Sequence, residues 1–93
     1  MIEFRVLGSL EVVDGDRALA LGAPKQRALL AVLVVHRGEP VSRDRLIDEI
    51  WGERPPASAH KIVQRYVSNL RKVLGGRFLV SRGRGYSLQL DLG

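Results

Sequence analysis

The sequence predicts an α+β fold: a small N-terminal antiparallel sheet, three helices, and a C-terminal β-hairpin. Three observations predict it. Residues 2–13 alternate apolar and polar side chains in two short runs, and three later stretches carry the three-and-four apolar spacing of helices. Two strand-like runs near the C-terminus then flank a five-residue segment containing two glycines.

The first two runs, within IEFRVLGSLEVV, break at Gly8-Ser9 and are expected to pair as half-buried strands. Asp14-Gly15-Asp16 is a turn signal, and Arg17 to Leu21 reads as a third strand, with Ala18 and Ala20 opposed to Leu19 and Leu21. The sheet thus occupies about residues 2–21. Pro24 suits the first turn of a helix, where its missing amide is not needed. That helix is expected over about 24–37, burying Leu29, Leu30, Leu33 and Val34, with Val32 and Val35 widening its apolar surface; Gly38 and Pro40 end it. Val41 reads as a one- or two-residue strand. Ser42 is placed to cap a helix over 43–51, whose stripe is Leu46, Ile47, Ile50 and Trp51. Gly52 to Ala57, with consecutive prolines, is a stiff connector.

The third helix is expected over 58–74, capped by the Ser58 side chain and closed at Gly75 and Gly76 by a left-handed residue. Ile62, Val63, Tyr66, Val67, Leu70, Val73 and Leu74 form its apolar face, with Tyr66 at the edge. At 100° per residue, Lys61, Gln64, Arg65, Ser68 and Lys72 gather on the opposite side, with Asn69 and Arg71 flanking them. Last comes a hairpin over about 78–90, from Phe78–Val80 and Tyr86–Leu90, with Ser81 to Gly85 as a flexible tip carrying Arg82 and Arg84.

Composition narrows the function. Ninety-three residues make one domain, 1–93, able to bury only about 60–65% of its unfolded surface, so an enclosed active site has little room. With no cysteine there is neither a disulfide nor a thiolate metal site, and His36 and His60 alone do not suggest a metal. No cofactor is expected. Nothing groups Ser, His and Asp as nucleophile, base and orienter, so the chain reads as a non-enzyme. The apolar run Ala28–Val35 is less than half the roughly 20 residues of a membrane span, and a cytoplasmic protein is expected.

The charge is unevenly placed. Residues 1–56 carry eight basic and nine acidic side chains; residues 57–93 carry seven basic ones against Asp91 alone. A polyanionic partner is the simplest reason for such a gradient. An anionic membrane is the rival, but the segment lacks an exposed Trp, Phe and Leu face. The second and third predicted helices form a helix-turn-helix with the hairpin behind as a wing, bringing the two most cationic elements together. A helix bearing cations and amides suits a DNA major groove, and arginines on a narrow loop suit the minor groove or phosphates. On this reading Gln64, Arg65, Ser68 and Asn69 are the candidates for base edges. Lys61, Arg71, Lys72, Arg82 and Arg84, with the Tyr66 hydroxyl, are the candidates for phosphates or wing contacts. Two alternatives remain open: a winged helix meeting an acidic protein partner, and an RNA-binding module, for which exposed aromatic surface is scarce.

The segments FRVLGSLEV (residues 4–12), LALGAPKQRALLAVLVVHRGEPVSRDRLIDEIWGERPPASA (19–59), YVSNLRKVLG (66–75) and RGRGYSL (82–88), in this order and spacing, resemble the OmpR/PhoB type of winged helix. More closely, they resemble the DNA-binding domains of SARP-type transcriptional activators of actinobacteria. The resemblance covers nearly the whole chain. It implies promoter DNA as ligand, bound at direct repeats by head-to-tail pairs, and recruitment of RNA polymerase through its sigma factor in the regulation of secondary metabolism. It places the sigma contact at the Gly52–Ala57 connector, where Glu53 and Arg54 are the candidates. It also implies a helical activator domain after the winged helix, so a chain ending at Gly93 is expected to be an excised domain or a truncated relative. Family wings carry one arginine ahead of Gly-x-Gly-Tyr; here Arg84 adds a second, from which a stronger minor-groove contact is expected.

Overall fold

In the computed structural model, which describes residues 2–7 and 9–89, β1 (Ile2–Leu7), β2 (Ser9–Asp14) and β3 (Arg17–Ala18) form an antiparallel sheet in that order, Phe4 opposite Val12 and Val13 opposite Ala18. β3 is shorter than expected. The Leu19 amide still donates to the Val12 carbonyl (2.8 Å), but the chain then turns inward through Gly22 at φ 87°. The alternation outlasts the ladder: Leu21 is buried while Ala18 and Ala20 stay exposed.

Helix α1 (Pro24–Val35) begins at the expected proline and buries Leu29, Leu30, Leu33 and Val34. It ends short of residue 37. Gly38 takes φ 84°, and its amide donates to the Leu88 carbonyl (2.9 Å) rather than extending the helix. Val35 does not widen the buried surface as expected; it is 74% exposed. Then come β4 (Val41–Ser42), α2 (Arg43–Trp51), α3 (Ala59–Leu74), β5 (Leu79–Arg82) and β6 (Gly85–Leu88). The two serines expected to cap helices behave differently. Ser42 Oγ accepts from the Arg45 amide (3.1 Å), as expected. Ser58 makes no side-chain cap; α3 is entered through a backbone turn, with the Ala59 amide donating to the Pro56 carbonyl (3.0 Å) and the Ile62 amide to the Ser58 carbonyl (3.0 Å). Ser58 lies in that turn at φ −94° and ψ 20°, not in the extended conformation of a side-chain cap. Gly75 closes α3 at φ 97° and ψ 145°, a positive-φ conformation but not the left-handed helical one expected.

The hairpin is tighter than the sequence suggests. Pairing runs from Leu79↔Leu88 to Arg82↔Gly85, so only Gly83 and Arg84 form the turn. Gly83 takes φ 56° and Arg84 does not, the pattern of a turn that places glycine first. Leu90, the expected end of the hairpin, lies outside the described residues. β6 is the centre of a second sheet, β4-β6-β5, with Val41 opposite Tyr86 and Ser42 opposite Gly85. The three helices, both strands of the hairpin and β2 supply one core, whose fully buried members include Val12, Leu30, Leu46, Val63, Leu70 and Leu88.

Gly85 is the tightest point of this assembly. A Cβ there would collide with the Val41 carbonyl and sit 2.8 Å from Ser42 Cα. Gly85→Ala is therefore expected to destabilise the fold by about 2–3 kcal/mol, or roughly 10–20 °C in Tm for a domain of this size. Gly76→Ala, where a Cβ meets nothing within 4 Å, should change stability by less than about 0.5 kcal/mol. Thermal melts of the two variants check this; equal losses would show that the β4–β6 approach is not the cause.

Candidate nucleic-acid interface

Helix α3 buries Ala59, Val63, Val67, Leu70 and Leu74 along one side, which fixes what the other side presents. Lys61, Gln64, Arg65, Ser68 and Lys72 are all exposed, as helical spacing predicts. The residues at the borders of the stripe are not free in the same way.

Asn69 was expected to face outward. Instead it is half-buried, and its Nδ2 donates to Gln26 Oε1 of α1 (3.1 Å). Gln26 is 6% exposed, and its Nε2 donates to the Leu21 carbonyl (3.0 Å), so one amide chain ties the exit of the N-terminal sheet to α1 and α3. Tyr66 is half-buried and stacks on Trp51 of α2, with ring centroids 6.5 Å apart and planes 17° apart. Arg71 was expected to reach a phosphate. It turns to the wing: Nε donates to the Leu79 carbonyl (2.9 Å), Nη2 donates to Ser81 Oγ (3.1 Å), and the guanidinium lies 5.9 Å from the Tyr86 ring centroid. Each border residue has a partner on a different neighbour, which a helical projection cannot reveal.

The wing tip holds Arg82 and Arg84 exposed. It is joined to the start of α2 by Arg43, whose amide and Nε both donate to the Arg84 carbonyl (3.1 and 3.3 Å). An open cleft there is lined by Ser42, Arg43, Asp44, His60 and Arg84, bringing the first turn of α3 beside the turn of the hairpin. His60 Nε2 stands 3.6 Å from Asp44 Oδ1 across it. Arg43 and His60 were not among the sequence candidates. Only the approach of the hairpin to the two helix starts marks them, and no local signal encodes that approach. On α3, helical spacing puts His60, Gln64 and Arg71 along one edge, and the contacts of His60 and Arg71 turn that edge toward the hairpin. Glu53 and Arg54 are exposed on the connector. Among the described residues, no group of three His, Cys, Asp or Glu side chains could hold a metal, and no helix is long and apolar enough to cross a membrane.

Two helices joined by a connector, with a hairpin packed behind and a cationic face in front, define a winged helix-turn-helix of the DNA-binding class. Residues 17–88 match the family described as "Transcriptional regulatory protein, C terminal", and the chain belongs to that family, the OmpR/PhoB type of DNA-binding domain found in transcriptional regulators. It is 40% identical over 90 residues to the regulatory protein AfsR of Streptomyces griseus, a match covering 97% of this chain and 9% of that protein. The solved structure of Mycobacterium tuberculosis EmbR, in complex with a low-affinity phosphopeptide, superposes with a TM-score of 0.91 at 41% identity, over 97% of this chain and 25% of that one. The DNA-binding domain of Escherichia coli CpxR superposes with a TM-score of 0.66 at 33% identity, over 85% and 81%. AfsR and EmbR are SARP-type regulators, and the domain is a regulator's DNA-binding module rather than an enzyme. This chain thus spans about a tenth of AfsR and a quarter of EmbR.

The border contacts carry a measurable consequence. Asn69→Ala leaves the buried Gln26 carbonyl oxygen without its donor and is expected to cost about 1–2 kcal/mol in a urea melt. Ser68→Ala, one position away on the exposed face, should stay within about 0.5 kcal/mol. Equal effects would show that the Gln26–Asn69 bond contributes nothing to stability.

Proposed function

We propose that residues 1–93 act as one unit that binds promoter duplex DNA sequence-specifically, with α3 in the major groove and the wing on the adjacent minor groove or its phosphates. The observation that carries this is the juxtaposition of an exposed cation-and-amide face on α3 with the Arg82–Arg84 tip of the hairpin. The major groove admits a helix and distinguishes all four base pairs, whereas a narrow minor groove attracts arginine. The exposure of Gln64, Arg65 and Ser68 supports them as the base-reading residues, and that of Lys61, Lys72, Arg82 and Arg84 supports them as the phosphate or wing contacts. Asn69 and Arg71 have their donors turned inward and are secondary in this scheme.

The proposed ligand is a pair of direct repeats at a promoter, occupied head to tail, and the proposed place of action is the bacterial nucleoid. The exposed Glu53–Arg54 connector is the candidate surface for the sigma factor of RNA polymerase. Charge reversal at Glu53 or Arg54 should then lower transcription activation by the whole regulator while leaving its DNA affinity unchanged.

Selection from a random duplex library, followed by footprinting, tests the reading. Arg84→Ala should weaken binding to every sequence, and Gln64→Ala should change the preferred bases, losing about 1–3 kcal/mol on the selected site. With four phosphate contacts, log K should fall by about 3–4 per tenfold rise in salt. A domain that selects no duplex, yet captures an acidic protein through the same face, would replace this reading.

A further inference from the structure

The guanidinium of Arg71 sits on α3 yet makes all its described contacts with the hairpin: the Leu79 carbonyl, Ser81 Oγ and the Tyr86 ring. These partners span both strands of the wing, since Ser81 is paired with Tyr86. Three residues beyond Ser81 is Arg84, at the tip, and along the same edge of α3 lie Gln64 and His60. A rigid planar fork with two donors used in fixed directions holds one element against another in a way that a single ammonium on a flexible stem does not. At the far end of the hairpin, Arg43 grips only the Arg84 backbone carbonyl and leaves the Arg84 side chain outward.

We propose that Arg71 is a positioning residue for DNA recognition: by bracing β5 and β6 against α3, it sets the separation between the helix face and the wing tip, so that both meet one duplex together. This rests on the reading that α3 and the wing engage the same DNA. Arg71 acts through Arg82 and Arg84 and need touch neither base nor phosphate itself. Its effect is therefore geometric, and retaining the positive charge does not replace it.

The test is a double-mutant cycle on the 93-residue chain, measured by titration against a duplex selected from a random library by the unmodified protein. In the unmodified background, Arg84→Ala should weaken binding by about tenfold. In the Arg71→Lys background, which keeps the charge, binding should already be weaker by about tenfold, and adding Arg84→Ala should cost no more than about twofold. Ser81→Ala, which removes one acceptor of the fork, should show the same coupling at smaller size, and it decides the matter if Arg71→Lys does not melt cooperatively. Two results overturn the proposal: Arg71→Lys binding like the unmodified protein, as a plain phosphate contact would allow, or Arg84→Ala costing the same factor in both backgrounds. If neither Arg84→Ala nor Gln64→Ala alters binding in the unmodified chain, the DNA reading of helix and wing fails first, and the positioning role falls with it.

Discussion

Helix α3 must be held on one side and wet on the other, and the rest of the molecule is arranged around that constraint. Its buried stripe of Val63, Val67, Leu70 and Leu74 supplies the hydrophobic attachment, at about 1.5–3 kcal/mol for each fully buried aliphatic side chain. That stripe fixes which side of the helix faces outward. Three side chains at its borders add directional contacts, each with a different neighbour: Asn69 meets α1, Tyr66 meets α2, and Arg71 meets the wing.

The hairpin is held with the same economy of means. β6 lies between β4 and β5, and the approach of β4 is close enough that position 85 has no room for a side chain. Ser42 both caps α2 and pairs with Gly85, so the start of α2 and the turn of the wing cannot shift independently. Arg43 adds two hydrogen bonds to the Arg84 carbonyl at the same junction. The wing tip is in this way referenced to α2 at one end and, through Arg71, to α3 along its length. Helix and hairpin are thereby tied to each other by side-chain contacts as well as by the core.

Particular residues show how far local pattern reaches. Ser42 and Ser58 both precede helices, but only Ser42 is itself extended, at φ −67° and ψ 153°, which aims its oxygen at the Arg45 amide; Ser58 sits in a turn at φ −94° and ψ 20°. The glycines of the wing marked a turn correctly, yet its length depended on a register that Leu79 and Leu88 fix by being buried together. On α3, the five residues at the centre of the polar face are exposed as the 100° projection requires. Near the border the projection fails: Asn69 and Arg71 lie only slightly off that face, and long polar side chains there can reach either solvent or a neighbouring element.

By itself the sequence determined the element order, the identity of α3 as the amphipathic cationic helix, and the concentration of positive charge in the final third. Those properties follow from hydrophobic period, turn chemistry and composition, all of them local. Only the tertiary structure decided which border side chains point inward, how short the wing turn is, and that Arg43 and His60 meet Arg84 across one cleft. The reason is that each of these depends on distances between elements far apart in the chain, such as Gln26 with Asn69 or Arg43 with Arg84, and no periodicity within one element encodes them.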